Sequence, residues 1–120
     1  MTFASGLLIA SLGAVSAHAA DLFPPPGKLV DIAGGHKLHL NCTGKGSPTV
    51  ILIAGASSFS IDFALVQPAL ARTNRVCSFD RAGYAWSDSF GIVDDAKQVV
   101  RDLRAVLAKA GERRPYVLVG

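Results

Sequence analysis

Thr49-Val50-Ile51-Leu52-Ile53-Ala54-Gly55-Ala56-Ser57-Ser58 is the stretch from which the fold is read. Thr49 to Ile53 are β-branched or apolar without alternation, and turn residues bound them on both sides. A strand with one wet face alternates, so this run predicts a strand buried on both faces, as in a parallel sheet. The small residues after it predict a tight loop leading into a helix.

Working outward, Arg75-Val76-Cys77-Ser78-Phe79 and Tyr116-Val117-Leu118-Val119 read as two more short strands. Gly120 then looks like the entry to a sharp turn. Between the strands lie two helical patterns. Residues 61–72 carry apolar marks at Ile61, Leu65, Ala69 and Leu70, with Pro68 expected to kink or split the helix. Residues 94–110 form one apolar stripe: Ala96, Val99, Val100, Leu103, Val106, Leu107 and Ala110. Asp94 and Asp95 suit the positive end of its dipole, Lys109 suits the negative end, and Gly111 is a natural stop.

Upstream, Lys28-Leu29-Val30-Asp31-Ile32 and His36-Lys37-Leu38-His39-Leu40-Asn41-Cys42 alternate on either side of Gly34-Gly35. They predict an antiparallel hairpin with Leu38, Leu40 and Cys42 on one face. His36 and His39 read as strand residues near water. The order hairpin, strand, helix, strand, helix, strand defines an α/β class, with parallel strands and helices packed on both faces.

The chain has 120 residues, half of them hydrophobic, which suits one small domain. A charged fraction of 18% and a net charge of +3 come with scattered Lys and Arg. Arg113-Arg114 is too short to make a nucleic-acid surface, so no nucleic-acid partner is expected. Residues 1–19 carry no Asp, Glu, Lys or Arg, and their apolar run ends at Ala17-His18-Ala19. They read as a cleaved signal peptide, although Met1-Thr2-Phe3-Ala4-Ser5 lacks the usual basic residue. Residues 20–27, with Pro24-Pro25-Pro26, form a Pro-rich lead-in, and 28–120 form the domain. The expected location is exported, periplasmic or secreted, with no stable membrane anchor after cleavage. Cys42 and Cys77 are the only cysteines. In an oxidising compartment they can form a disulfide, and the alternative is two buried thiols. No metal site is expected, because His36 and His39 lack partners at ligand spacing.

From about Gly27 to Gly120 the chain resembles the first part of an α/β-hydrolase domain. The resemblance rests on the hairpin, the strand ending in Ala54-Gly55-Ala56, the helix over 94–110 and the last strand. Its most specific part is the Asp80-Arg81-x-Gly83-x-x-x-Ser87 pattern. In that family the last strand runs into a Gly-x-Ser-x-Gly elbow, so Gly120 matches the first Gly and the nucleophile falls two residues beyond it. The resemblance therefore places no catalytic triad residue in this chain. It implies one functional group, the Ala56 N–H, as an oxyanion-hole donor; such donors contribute about 3 kcal/mol each. Gly55, Asp80, Arg81 and Gly83 are implied as support for the loops. Tyr84 and Trp86 either border the substrate entrance or pack on the loop. Ser57, Ser58 and Ser87 have no neighbouring base in the sequence.

Two positions depart from the family. Ala54 stands where many members carry His or an acidic residue. Ala85 stands where Gly is usual, which would cost about 1 kcal/mol if the site needs positive φ.

The implied parent is an exported serine hydrolase acting on an ester or related carbonyl substrate, without metal or organic cofactor. The alternatives are a hydrolase-fold protein of different chemistry, told apart by the residue two beyond Gly120, and a small non-catalytic exported interaction protein. Expressed alone, the 120 residues are expected to be inactive and to aggregate along an uncovered sheet edge.

Overall fold

The computed structural model describes residues 22–89, 91 and 95–120. The signal-peptide reading of 1–19, the first two lead-in residues and Asp94 lie outside them.

Five strands form one mixed sheet: β1 (Lys28–Asp31), β2 (Lys37–Thr43), β3 (Thr49–Ile53), β4 (Arg75–Phe79) and β5 (Tyr116–Val119), in spatial order β1-β2-β4-β3-β5. β1 and β2 are the hairpin, paired Lys28 to Leu40 through Asp31 to Lys37, with Gly34 and Gly35 at positive φ in its turn. β2 runs antiparallel to β4, while β3 is parallel to both β4 and β5.

The pairing register assigns the faces. Leu38 and Leu40 of β2, Ile51 of β3, and Cys77 and Phe79 of β4 share one face. Helix α2 (Ala96–Ala110) covers it with Leu103, Val106 and Leu107. That helix forms where its apolar stripe is, because both ends are fixed. The Asp95 carboxylate accepts from the Gln98 N–H at 2.7 Å. Gly111 takes φ 74 and closes the C-terminus.

The opposite face, with His39, Asn41, Ser78 and Asp80, is covered by a 3-10 turn (Ser60–Phe63) and helix α1 (Val66–Leu70). Gln67 of α1 donates to the Asn41 carbonyl at 2.9 Å and reaches the Val76 carbonyl at 3.3 Å, bridging β2 and β4. The expected helix over 61–72 is thus two short pieces. Pro68 does not split α1; it is the third residue of a five-residue helix, where the first turn needs no N–H from it.

Right-handed crossovers explain the layering. From β3 the chain steps to β4 over one face; from β4 it returns past β3 to β5 over the other. The direction reverses between β3 and β5. In open α/β sheets, ligands bind outside the carboxyl ends of the strands at that reversal.

Candidate functional site

The reversal puts two segments side by side: the loop that follows Ile53, and Gly120 after β5. A Cβ built on Gly120 would lie 3.3 Å from the Ile53 carbonyl oxygen, so the two strand ends are in close approach. In the loop Ala54 is buried, while Gly55 and Ala56 are exposed. Ser57 holds φ 61, a conformation L-residues adopt only when their surroundings enforce it. The Ser58 N–H donates back to the Gly55 carbonyl at 3.2 Å. The Ala56 N–H makes no hydrogen bond to a described residue.

Two neighbours at the end of β4 hold this loop at both ends. Arg81 Nη2 donates to the Gly55 carbonyl at 2.9 Å. The Asp80 carboxylate accepts the Ser60 N–H on Oδ1 at 2.7 Å and the Ser60 hydroxyl on Oδ2 at 3.0 Å. Hydrogen bonds of this charged type are about twice as strong as neutral ones. The Arg81 guanidinium also sits 4.3 Å from the Tyr84 ring centroid, and Tyr84 packs against Phe59 at 6.1 Å. Gly83 takes φ 78 and its N–H donates to the Asp88 carbonyl at 2.9 Å, folding the loop after β4 back toward β2. Ala85 takes φ 43, so the position where Gly is usual does require positive φ.

His39 differs from its sequence reading: it is fully buried rather than near water. Alternation placed it opposite Leu38 and Leu40 correctly, but the face it occupies is covered by the segment that follows β3. Its Nδ1 donates to Asp80 Oδ2 at 2.7 Å, its N–H donates to Ser87 Oγ at 2.9 Å, and the Trp86 ring lies 4.9 Å from its own. Ser87 Oγ in turn donates to the Asp80 carbonyl at 2.7 Å.

The nearness of Ser60, His39 and Asp80 is not a nucleophilic triad. A nucleophile must face the imidazole nitrogen that the acid does not hold. Here Ser60 gives its proton to Asp80, lies 3.4 Å from the same Nδ1, and is buried. His39 Nε2 is buried without a partner among the described residues.

Trp86 and Tyr84 separate in space. Trp86 donates from Nε1 to the Phe23 carbonyl at 2.7 Å and lines a cleft of about 590 Å³ with Phe23, Ile61, Ala64 and Pro68. Ala56 is not among the residues of that cleft. Tyr84 instead stays with Arg81 at the loop.

Cys42 and Cys77 form a disulfide between directly opposed residues of β2 and β4, with Cα atoms 4.0 Å apart. Since Asp80 donates to the His39 carbonyl, the alternation of the ladder makes Cys42 and Cys77 a non-hydrogen-bonded pair, the closer kind. Glu112 lies near both sulfurs. Bonded sulfurs offer no thiolates, and Arg75 holds the Glu112 carboxylate with two donors at 3.0 and 2.7 Å. That pairing raises the Arg75 guanidinium above its already high ordinary value. The trio is a staple beside an ion pair rather than a metal centre.

No protein-family profile matches the chain. An uncharacterised protein of Bacillus subtilis, YbdG, is 26% identical over 102 residues, covering 83% of this chain and 31% of its own length. A probable transporter of Hormonema carpetanum, efuK, is 32% identical over 99 residues, covering 77% of this chain and 14% of its own. Among solved structures, an esterase from Exiguobacterium antarcticum superposes with TM-score 0.70 at 21% identity over 78% of this chain. The epoxide hydrolase CorEH gives 0.70 at 22% over 78%, and a serine hydrolase of carbazole degradation, CarC, gives 0.65 at 29% over 78%. The chain spans about a third of the length of those structures: 35%, 32% and 36% respectively. The layered mixed sheet is therefore a segment of a larger α/β architecture. The chain carries the N-terminal part of the α/β-hydrolase fold, with an incomplete sheet.

Proposed function

We propose that the chain is the N-terminal portion of an exported serine hydrolase acting on an ester or related small carbonyl substrate. In this reading the loop after β3 supplies one oxyanion-hole donor, the Ala56 N–H. Gly55, Asp80, Arg81 and Gly83 keep that loop in place, and the triad residues lie outside these 120 residues. The reading is carried by one observation: among the described residues the Ala56 N–H stands uncommitted at the reversal between β3 and β5, in a loop tied at both ends. Donors fixed in advance at such a place stabilise a developing oxyanion without reorganising at the moment of reaction.

The test is hydrolysis of p-nitrophenyl acetate by the full-length gene product, with covalent labelling by a fluorophosphonate. Turnover together with stoichiometric labelling supports the reading, whereas a folded protein that does neither refutes it. Export is tested separately: the mature protein recovered outside the cytoplasm should begin at Ala20. A second reading, a hydrolase-fold protein of different chemistry, is favoured by the epoxide hydrolase among the structural neighbours. Turnover of an epoxide without turnover of the ester would select it.

A further inference from the structure

We propose that His39 is a positioning residue for the loop after β3, acting through Asp80. The mechanical part of this proposal stands on hydrogen bonds alone; its consequence for turnover rests on the oxyanion role given above to Ala56.

Asp80 is buried, and a buried carboxylate must be fully supplied with donors. Among the described residues it has three donors, and two of them, the N–H and hydroxyl of Ser60, come from the loop it holds. An anchor held only by its own cargo would shift with it. The third donor is His39 Nδ1, from β2, a strand paired on both edges. The His39 backbone is tied twice more, accepting the Asp80 N–H at 3.2 Å and donating to Ser87 Oγ. Trp86 against the imidazole limits its rotation. His39 thus refers the carboxylate, and through it Ser60, to the sheet. Arg81 fixes the loop at Gly55. Ala56 and the strained Ser57 lie between these two fixed points, where their conformation is over-determined.

Three variants of the full-length gene product separate positioning from bulk structure. The amide nitrogen of H39N falls where imidazole Nδ1 was and keeps the donor to Asp80. The amide of H39Q reaches the Nε2 position instead, and H39L has no donor. H39Q and H39L should raise amide exchange in residues 54–60 by about tenfold with α2 unchanged. They should lower kcat on p-nitrophenyl acetate roughly 10- to 100-fold, with KM within about threefold, as misplacement of a transition-state donor requires. H39N should restore both readouts to within about threefold of the native protein. If H39L fails to fold, H39Q carries the comparison. Equal impairment of H39N and H39Q overturns the proposal, as does a uniform rise in exchange across 54–60 and α2. If the native protein has no esterase activity, the functional reading fails on its own. The exchange measurement then still decides His39: unchanged exchange at 54–60 in H39Q overturns its role.

Discussion

Reducing the Cys42–Cys77 disulfide should be the largest single loss of stability available without altering the sequence. The bond joins residues 35 apart and closes most of the crossover from β2 through β3 to β4. A loop of that length loses about 13 cal/mol/K of denatured-state entropy when closed, or about 4 kcal/mol at 25 °C. Reduction leaves both sulfurs in place, so no cavity offsets or enlarges the figure. With a urea slope of about 3 kcal/mol/M, as suits a protein some three times this length, the unfolding midpoint should fall by roughly 1.3 M. The assay is urea unfolding of the full-length gene product followed by tryptophan fluorescence, Trp86 reporting beside His39, with and without a phosphine reductant. A midpoint change below about 0.5 M after complete reduction would refute the argument. It would mean that the sheet register, not the cross-link, restricts the chain.

Four further outcomes follow from the geometry. Ala85→Gly should stabilise by roughly 0.5–1 kcal/mol, because relief at φ 43 outweighs the added chain entropy; a Tm rise of about 3–5 °C checks it. Asp95→Ala removes the cap on α2 and should cost about 1 kcal/mol in chemical denaturation. The Asp62 carboxyl is held below its ordinary value of 3.8, first by the Ser58 hydroxyl and then by the Phe59 N–H. Its contribution is therefore present above 3.8 and lost as pH falls through the lower folded value, so amide exchange at 58–63 should rise only on that acid side, and D62N should abolish the rise. Leu118 and both its neighbours on edge strand β5 are exposed, at 60, 44 and 44%. Leu118→Lys should markedly lower light scattering by the isolated 120 residues, and an unchanged signal would absolve that edge.

The fold was legible where periodicity settles it. The run from Thr49 to Ile53 requires cover on both sides, and the stripe from Ala96 to Ala110 with Gly111 behind it leaves little choice of element. Alternation gives the side of the sheet each residue faces, but not what lies over that side, which is why His39 is buried rather than near water. A central strand in a sheet layered on both faces has no wet side, and that was the available signal. Local pattern leaves the cysteine pairing open because it depends on the offset between β2 and β4, set by Leu40 meeting Phe79, which no local pattern encodes. The division of residues 60–70 into a 3-10 turn and α1 likewise follows from Ser60 bonding Asp80 and Gln67 bridging two strands, contacts far apart in sequence. In the candidate site, the small residues of the loop were visible, while the cooperation of Asp80 and Arg81 at its two ends required three dimensions.

The most direct measurement is the nucleotide sequence of the gene across and beyond the Gly120 codon. The account predicts an open frame with Ser two residues on, flanked as Gly-x-Ser-x-Gly, and an acid and a His further along. A stop codon there, or an open frame with no nucleophilic side chain at that position, would contradict it.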